Sequence, residues 1–248
     1  MHPVLQARGI TKRYGHVEAL RGADFDVYPG EIVALIGDNG AGKSTLIKNL
    51  TGVVQPDGGE ITMDGERVVF DSPARARELG VEVVHQDLGL APDLTPSENV
   101  FLGREIVRQG VFAGLGLLDK RTMRRVTAEK FATYGLALQD PDAPVSTLSG
   151  GQKQSIAVIK AVADHHKVVF MDEPTAALGV EQTERVLAII RRVREEGSAV
   201  VLISHDMPRV LEIADRIQVL RMGQRVADIP RKDATLKGLV DTMAGVTA

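Results

Sequence analysis

The feature that most constrains the fold is an apolar run that passes directly into a glycine-rich stretch. Ile32–Ile36 is continuously apolar, which is typical of a strand buried in a parallel sheet. The residues that follow, Gly37–Ser44, fit the pattern G-x-x-x-x-G-K-[ST] of a phosphate-binding loop. A helix is expected from Lys43 to about Thr51, with Gly52 just beyond its end. Strand, loop and helix in this order predict an α/β fold with a mainly parallel sheet.

Each residue type in this loop suits an anionic ligand. Small residues let backbone N–H groups curl around a phosphate, and the helix N-terminus adds its dipole. Lys43 is expected to reach the β- and γ-phosphates, and the Ser44 hydroxyl to ligate Mg²⁺. A glycine-rich turn with a solvated lysine is the alternative, which the flanking strand and helix disfavour. The residues expected to bind Mg-ATP are Gly37, Asp38, Asn39, Gly40, Ala41, Gly42, Lys43, Ser44 and Thr45.

Two acidic residues follow a second apolar run. Val168–Met171 is expected to form a buried strand that carries Asp172 and Glu173 to the carboxyl edge of the sheet, where ligands bind in such folds. Asp172 is expected to hold Mg²⁺ through water, and Glu173 to polarise the attacking water as a general base or positioning group. A strand followed by acids is common by itself, so this assignment depends on the phosphate loop.

A second candidate anion site is the segment Leu148–Gln152, Leu-Ser-Gly-Gly-Gln. Ser149 and Gln152 have the spacing of a capping box and are expected to open a helix at 152. The glycines between them leave bare N–H groups at the helix start. One explanation for two phosphate-binding helix starts in one chain is that each nucleotide lies between the phosphate loop of one subunit and Ser149, Gly150, Gly151 and Gln152 of another. A plain helix cap is the alternative.

Composition narrows the function classes. The chain has 248 residues, which suits one large domain or a domain with a sizeable subdomain. A formal charge of −3 disfavours nucleic acid as the main partner, and the absence of cysteine excludes disulfides and thiol catalysis. The apolar runs are far shorter than the ~20 residues that span a bilayer, and Met1–Arg8 lacks an apolar signal-peptide core. A cytoplasmic protein is expected, with membrane association only through a partner.

The remaining segments predict strands and helices around this core. Residues 1–28 predict short antiparallel strands broken at Gly9, Gly15 and Gly22, and Asp64-Gly65 predicts a hairpin. A helical subdomain is expected at about 90–155. Gly110–Leu118 is not assigned to any element. The other predicted elements are helices at 73–79, 97–102, 120–134, 152–164, 181–196 and 207–214, and strands at 81–84, 199–203 and within 216–229. In the helix at 120–134, Met123, Val126 and Phe131 are expected to share an apolar face.

These motifs together make the chain resemble the nucleotide-binding subunits of ABC transporters over nearly its whole length. Leu148–Gln152 matches the signature sequence of that superfamily. The resemblance implies one ABC ATP-binding domain over residues 1–248, with a P-loop ATPase core, a small antiparallel β subdomain and a helical signature subdomain. It also implies hydrolysis of ATP to ADP and phosphate, with ATP and Mg²⁺ bound in a head-to-tail dimer.

Three single residues gain a role only through this resemblance. Tyr14 matches the aromatic that stacks on adenine, Gln86 matches the glutamine that senses Mg²⁺ and the γ-phosphate, and His205 matches the histidine that contacts the γ-phosphate. Without the resemblance, they would be taken as a strand tyrosine, a polar loop residue and a helix cap. The expected catalytic residues are Glu173, His205 and Gln86, and the expected metal residues are Ser44, Gln86 and Asp172.

The chain departs from the family pattern after Glu173. The family usually has Ser-Ala-Leu-Asp where this chain has Ala-Ala-Leu-Gly at 176–179, so Gly179 replaces an aspartate that normally helps to couple the two sites. This replacement puts in question how tightly the two nucleotide sites are coupled. It does not put nucleotide binding in question. The variant, with Phe101–Glu105 and Ile203–Pro208, resembles the monosaccharide-importer branch. Many members fuse two nucleotide domains; this chain has one and is expected to pair with a copy of itself or a relative.

The resemblance implies three kinds of partner. A transmembrane permease is expected nearest Asp87–Leu102, a solute-binding protein acts indirectly, and a second ATPase subunit completes the site. The chain itself is expected at the inner face of the cell membrane, held there by its permease. The alternatives are an importer of another solute, an exporter, a soluble ABC ATPase acting on ribosomes, DNA or cluster assembly, and a scaffold that no longer hydrolyses ATP. The sequence lacks a long coiled coil, and it keeps Lys43, Asp172, Glu173 and His205, which disfavours the last two. It does not name the sugar.

Overall fold

The computed structural model describes residues 2–85, 87–108, 116–138, 140–163, 166–176 and 178–246. The chain divides into two compact units. The sheet unit consists of Met1–Gln86, His165–Pro174 and Ile190–Ala248. The helical unit consists of Asp87–Asp164 and Thr175–Ile189.

The sheet unit contains two sheets. The described strands are β1 Leu5–Tyr14, β2 Val17–Val27, β3 Ile32–Ile36, β4 Gly58–Met63, β5 Glu66–Val68, β6 Val81–Val84, β7 Val168–Asp172, β8 Ala199–Ile203, β9 Arg216–Arg221 and β10 Gln224–Pro230. One sheet has six strands in the order β10-β9-β3-β8-β7-β6 and is parallel except where β10 runs antiparallel to β9. The other is antiparallel, in the order β2-β1-β4-β5. The predicted parallel core sheet and small antiparallel sheet are confirmed.

The helices in the described residues are, in chain order, α1 Lys43–Leu50, α2 Pro73–Glu78, α3 Pro96–Val100, α4 Lys120–Thr133, α5 Gly150–Val162, α6 Val180–Glu195, α7 Met207–Ile213 and α8 Leu236–Ala244. The helical unit holds α3, α4, α5 and the first part of α6. The sequence prediction located all of them except α8 to within two residues at each end. Within the described ranges, none of these helices combines the length and the apolar character needed to cross a bilayer.

The register of the parallel sheet brings three strand ends together. Every residue of β3 is buried, and so is every residue of β8. In the ladder, Ile203 of β8 pairs with Leu35 of β3 on one side and with Asp172 of β7 on the other. The segments that follow these strands therefore start at the same edge of the sheet, which is where α/β folds bind ligands.

The N-terminal strands correct the sequence prediction. Short strands were expected because Gly9 and Gly22 interrupt the pattern, but β1 and β2 continue through both glycines over 10 and 11 residues. The pairing register shifts between Ala7 and Ile10 and again after Ile10. Both glycines have positive φ, 62° and 86°, and lie at these β-bulges. A bulge absorbs an extra residue without ending a strand, so glycine here marks a bend rather than a break.

A group of ionic side chains ties the sheet together at the edge opposite those strand ends. Arg216, the first residue of β9, donates to Glu31 at 2.7 and 3.0 Å, to Asp26 at 3.1 Å and to Asp228 at 2.7 Å. Arg225 donates to the second oxygen of Asp26 at 2.7 Å. Burial by itself would raise the pKa of Asp26, but the Arg225 hydrogen bond and the charges of Arg216 and Arg225 outweigh it and lower the pKa.

We expect Arg216→Ala to lower the free energy of unfolding by about 3–5 kcal/mol, because it removes the largely buried cation that Glu31, Asp26 and Asp228 share. Urea unfolding at neutral pH measures this. Arg13→Ala removes an ion pair to Glu18 whose side chains are 61% and 49% exposed, and is the control. Its effect should stay within about 1 kcal/mol. Equal losses of stability in the two variants would show that the network contributes no more than an exposed ion pair.

The network also makes stability depend on pH. Since the folded pKa of Asp26 is depressed, the stabilisation from Asp26 is present above its ordinary pKa of 3.8 and disappears as the pH falls through the folded pKa.

Candidate functional site

The candidate phosphate loop joins the end of β3 to the start of α1. Glycine is required at two of its positions because the surrounding backbone comes very close. A Cβ atom on Gly37 would lie 2.1 Å from the carbonyl oxygen of Leu220, and one on Gly42 would lie 2.6 Å from that of Ala19. At Gly40, by contrast, a Cβ atom would meet no atom of the described residues within 4 Å. The loop is thus packed at both ends and open in the middle.

Lys43 folds back over this loop. Its Nζ donates to the carbonyl oxygens of Gly37, at 2.5 Å, and of Asp38, at 3.1 Å. Burial is the largest influence on the pKa of Lys43 and lowers it, although the carboxylates of Glu173, Asp38 and Asp172 act in the opposite direction. A half-buried ammonium beside an open glycine-rich backbone is an arrangement that fits a phosphate group. Ser44 is exposed and Thr45 is half-buried at the same helix start.

The two acidic residues lie at the end of β7, as the sequence predicted. Burial raises the pKa of Asp172, and the neighbouring Glu173 carboxylate adds to this rise, while His85 and Lys43 partly oppose it. Glu173 has a left-handed backbone, with φ of 49°, and its N–H donates to the carbonyl of Ile203 at 2.9 Å. Such a conformation costs about 1–3 kcal/mol in a non-glycine residue, so it persists only where the surroundings impose it, as at functional sites.

The Glu173 carboxylate is held by the segment that follows β8. One oxygen accepts from the backbone N–H of His205 at 3.0 Å and lies 2.6 Å from the Nδ1 atom of its ring. The hydroxyl of Ser204 donates to the other oxygen at 3.4 Å. The His205 side chain is 83% exposed, so it bonds to the acid while its ring remains accessible. An oriented carboxylate beside an imidazole can act on a water proton.

Ser204 and His85 are site residues that the sequence prediction missed. Ser204 follows β8 directly, as Glu173 follows β7, and the pairing of these strands as neighbours is the signal that would have located it. His85 follows β6, the neighbour of β7, and its charge affects Asp172. The Ser204 hydrogen bond and the electrostatic influence of His85 both depend on the strand order, which is not visible in the motifs themselves.

The helical unit contains the second candidate anion site. Ser149 is the N-cap of α5, its Oγ accepts from the Gln152 N–H at 3.3 Å, and Gln152 Oε1 accepts from the Ser149 N–H at 2.9 Å. The predicted capping box is therefore confirmed. The predicted helix start at 152 is wrong: Gly150 and Gly151 already form the first turn of α5. A capping box places its glutamine at the third helical position, which puts both glycines inside the helix.

Gln182 of α6 lies against the second of these glycines. A Cβ atom on Gly151 would lie 2.5 Å from Cγ of Gln182 and 3.0 Å from its Cβ. A Cβ atom on Gly179 would lie 2.6 Å from Oε1 of the same side chain. The residue that replaces the family's usual aspartate is thus in close approach to Gln182. A cavity of about 640 Å³ opens beside these residues, and Ser149, Gln152 and Arg185 are among those that line it.

We expect Gly151→Ala to lower the free energy of unfolding by about 1–3 kcal/mol, because the new methyl group overpacks against Gln182. The matched control is Gly150→Ala, one residue earlier, where a Cβ atom would meet nothing within 4 Å among the described residues. That control should be neutral or stabilise by up to about 1 kcal/mol, since alanine is the better helix former. Urea unfolding of the two variants, and of Gly151→Ala with Gln182→Ala, measures the difference. If both single variants have the same free energy of unfolding, Gly151 does not pack closely against Gln182.

The remaining predicted residues are placed as follows. Tyr14 ends β1, is 45% exposed, and has the Nζ of Lys12 at 5.8 Å from its ring centroid. Gln86 lies outside the described residues, as does most of Gly110–Leu118. The sheet unit brings together the phosphate loop, Asp172, Glu173 and His205. The signature residues Ser149, Gly150, Gly151 and Gln152 lie in the helical unit.

Comparison with known proteins assigns the class. The chain belongs to the ABC transporter family, whose family model, described as ABC transporter, matches residues 20–176. It is an ABC ATPase, which binds ATP and hydrolyses it to ADP and phosphate.

Individual relatives indicate which members of the family the chain is similar to in sequence. The chain is 51% identical over 245 residues to the fructose import ATP-binding protein FrcA of Rhizobium meliloti, covering 98% of this chain and 94% of the relative. It is 39% identical to the xylose/arabinose import ATP-binding protein XylG of Sulfolobus acidocaldarius, covering 98% and 94%. The ribose import ATP-binding protein RbsA 1 of Rubrobacter xylanophilus is 44% identical over 99% of this chain, which spans only 48% of that relative's length.

Solved structures agree on the fold. A nucleotide-free ATP-binding cassette of an ABC transporter matches with a TM-score of 0.83 at 23% identity, covering 97% of this chain and 96% of that one. A dimeric ATP-binding cassette in a post-hydrolysis state, bound to ADP and phosphate, matches with a TM-score of 0.76 at 25% identity, covering 92% and 98%. The first likeness shows the fold alone, and the second adds a relative that is a dimer.

Proposed function

We propose that this chain is the ATP-hydrolysing subunit of an ABC importer that energises the uptake of a monosaccharide through a separate transmembrane permease. The observation that carries this proposal is the 51% identity to a fructose import ATP-binding protein over 98% of the chain. The other relatives named above are also import ATP-binding proteins for pentose sugars, which favours import over export. The domain is one ABC ATP-binding domain over residues 1–248, with a helical subdomain at about 90–155.

The phosphate loop binds the triphosphate in this proposal. Lys43 exchanges its bonds to the loop carbonyls for bonds to the β- and γ-phosphates, and the amides of Gly37–Thr45 hold the same groups. The open space beside Gly40 and the half-buried ammonium support this assignment. Tyr14, exposed at the end of β1, stacks on the adenine ring.

The residues assigned to Mg²⁺ have side-chain donors that suit this ion. The donors assigned to it are the Ser44 hydroxyl, the Asp172 carboxylate and Gln86, all oxygen ligands, which Mg²⁺ prefers. When bound, the ion neutralises the charge that develops on the transferring phosphoryl group. Asp172 ends β7, where the charge of Lys43 acts on its carboxylate, and it is assigned to hold the ion through water.

Glu173 and His205 carry the hydrolytic step. Glu173 orients the attacking water and accepts its proton, while His205 contacts the γ-phosphate. The 2.6 Å contact between them and the Ser204 hydroxyl bond support a fixed carboxylate direction. A general base must be held within hydrogen-bond reach of its proton, and this network supplies that restraint.

The second subunit and the membrane partner complete the proposal. Ser149, Gly150, Gly151 and Gln152 close the nucleotide site of an opposing subunit, either a copy of this chain or a relative, and the dimeric solved relative supports such pairing. The protein lies at the inner face of the cell membrane through its permease, with Asp87–Leu102 nearest that partner. A solute-binding protein delivers the sugar without contacting this chain. No nucleic acid takes part.

The proposal is tested by purifying the tagged chain from native membranes and identifying its companions by mass spectrometry. A polytopic membrane protein together with a sugar-binding protein is the expected result. A membrane protein without a binding protein would favour an exporter. Ribosomal or DNA-repair proteins without a membrane partner would overturn the transport proposal and leave only the ATPase.

A further inference from the structure

The turn that joins β9 to β10 lies against the back of the phosphate loop. Met222 and Gly223 form this two-residue turn, and both have positive φ, 49° and 79°. These angles are those of a type I′ turn, which accepts glycine readily at its second position. The Met222 side chain is 65% exposed and points into solvent, while the backbone of the turn packs against the rest of the protein.

Gly223 is bonded to the loop and to β2 at the same time. Its N–H donates to the carbonyl of Ala41 at 2.9 Å, and its carbonyl accepts from the N–H of Arg21 at 2.9 Å. The space around it is filled. A Cβ atom on Gly223 would lie 2.8 Å from the Ala19 oxygen, 3.0 Å from Leu20 Cα and 3.1 Å from the Arg21 nitrogen. All three are backbone atoms, which cannot rotate away as a side chain can.

β9 and β2 also pack against both ends of the phosphate loop. The Leu220 carbonyl, two residues before the turn, is the atom that a Cβ atom on Gly37 would strike. The Ala19 carbonyl is the atom that a Cβ atom on Gly42 would strike, and it also lies close to Gly223. A displacement of the turn therefore shifts the support of the loop where it passes into α1, next to Lys43. Buried close packing transmits such shifts because it leaves no free volume to absorb them.

We propose that Gly223 is a positioning residue for the phosphate loop: through its bond to Ala41 and its contact with β2, the β9–β10 turn sets the position of the loop amides and hence the affinity for nucleotide phosphates. This inference rests on the nucleotide-binding role proposed for the loop. Gly223 itself does not touch the nucleotide.

The chain provides a matched control turn. Asp64 and Gly65 join β4 to β5 with φ of 52° and 85°, close to the angles of Met222 and Gly223. A Cβ atom on Gly65 would meet no atom of the described residues within 4 Å. Substitution at Gly65 therefore imposes the same backbone strain as substitution at Gly223, without any contact with a phosphate loop.

The test measures the Kd for the fluorescent nucleotide mant-ATP and the steady-state KM and kcat of the full chain. The variants are Gly223→Ala, Gly65→Ala and Lys43→Ala. We expect Gly223→Ala to raise Kd and KM by about tenfold or more, which corresponds to about 1.4 kcal/mol, with kcat at saturating ATP within about twofold of wild type. Gly65→Ala should leave Kd and KM unchanged. If Gly223 had a purely structural role, Gly223→Ala would lower the stability of the fold but leave Kd and KM as they are in Gly65→Ala.

The outcomes separate the inference from the function on which it rests. If Lys43→Ala weakens mant-ATP binding but Gly223→Ala matches Gly65→Ala, the inference is wrong and the nucleotide site stands. If Lys43→Ala binds normally, the site assignment fails and the inference fails with it. Should Gly223→Ala not fold, amide hydrogen exchange of the wild-type chain decides: ADP should slow exchange at Gly223 and leave Gly65 unaffected. Equal exchange at Gly223 with and without ADP would overturn the inference.

Discussion

Glu173→Gln is expected to retain ATP binding and to lose turnover by roughly 10²–10⁴-fold, the range that a general base contributes. The glutamine side chain has nearly the same shape, and its oxygen can still accept from the His205 N–H, which Glu173 contacts at 3.0 Å. It cannot accept a proton from water. Nucleotide affinity should change little, because Lys43 and the loop amides bind the phosphates.

Steady-state ATPase assays and mant-ATP binding measure this prediction. Since binding continues without hydrolysis, the variant should also accumulate as an ATP-bound dimer, which size-exclusion chromatography with ATP detects. Glu66→Gln is the control, since Glu66 is exposed in β5 of the antiparallel sheet and should turn over as wild type does. Unchanged turnover in Glu173→Gln would remove Glu173 from its assigned role.

Lys43→Ala is expected to weaken nucleotide binding by roughly tenfold to a hundredfold. A hydrogen bond to a charged group contributes about 1.5–3 kcal/mol, and each 1.4 kcal/mol is a factor of ten in affinity. In the structure its ammonium is half-buried and held at the loop by Gly37 and Asp38, so little side-chain entropy is lost when a phosphate replaces these carbonyls.

Titration with mant-ATP at fixed ionic strength measures the affinity. Lys48→Ala is the matched control: it removes the same charge from the same helix, α1, at an exposed position one turn or so further on. It should bind as wild type does. Normal binding by Lys43→Ala would contradict the assignment of the phosphate loop.

The motifs of this protein were predictable because each is local in sequence. The loop, the acids after β7 and the Ser149–Gln152 capping box each need only a short segment and its backbone hydrogen bonds to be defined. The strand ends were predictable for the same reason, since β3, β7 and β8 are short apolar runs bounded by polar residues.

The contacts between segments were not predictable in the same way. The sequence placed Glu173 and His205 in one site only through family resemblance, whereas their 2.6 Å contact results from the pairing of β7 with β8. Gly223 and Gln182 had no motif at all. Their importance comes from backbone or side-chain atoms of residues far away in the chain, which a single sequence does not reveal.

The sequence pattern did not identify every buried side chain of α4. In α4, Val126 was expected on the apolar face with Met123 and Phe131, but the buried position between them is Thr127, which is 1% exposed. The buried residues are four apart, as one face of a helix requires. Val126 is half-buried, whereas the buried Thr127 hydroxyl has no hydrogen-bond partner among the described residues, a placement that hydrophobicity does not predict.

The function proposed for this chain is ATP hydrolysis that drives sugar uptake through a permease. The most direct measurement is ATP hydrolysis by the purified complex in proteoliposomes, with its solute-binding protein added empty or loaded from a panel of monosaccharides. We expect one loaded sugar to stimulate ATP turnover and its own uptake, and Glu173→Gln to abolish both. Turnover that is indifferent to every sugar, or uptake that persists in Glu173→Gln, would contradict it.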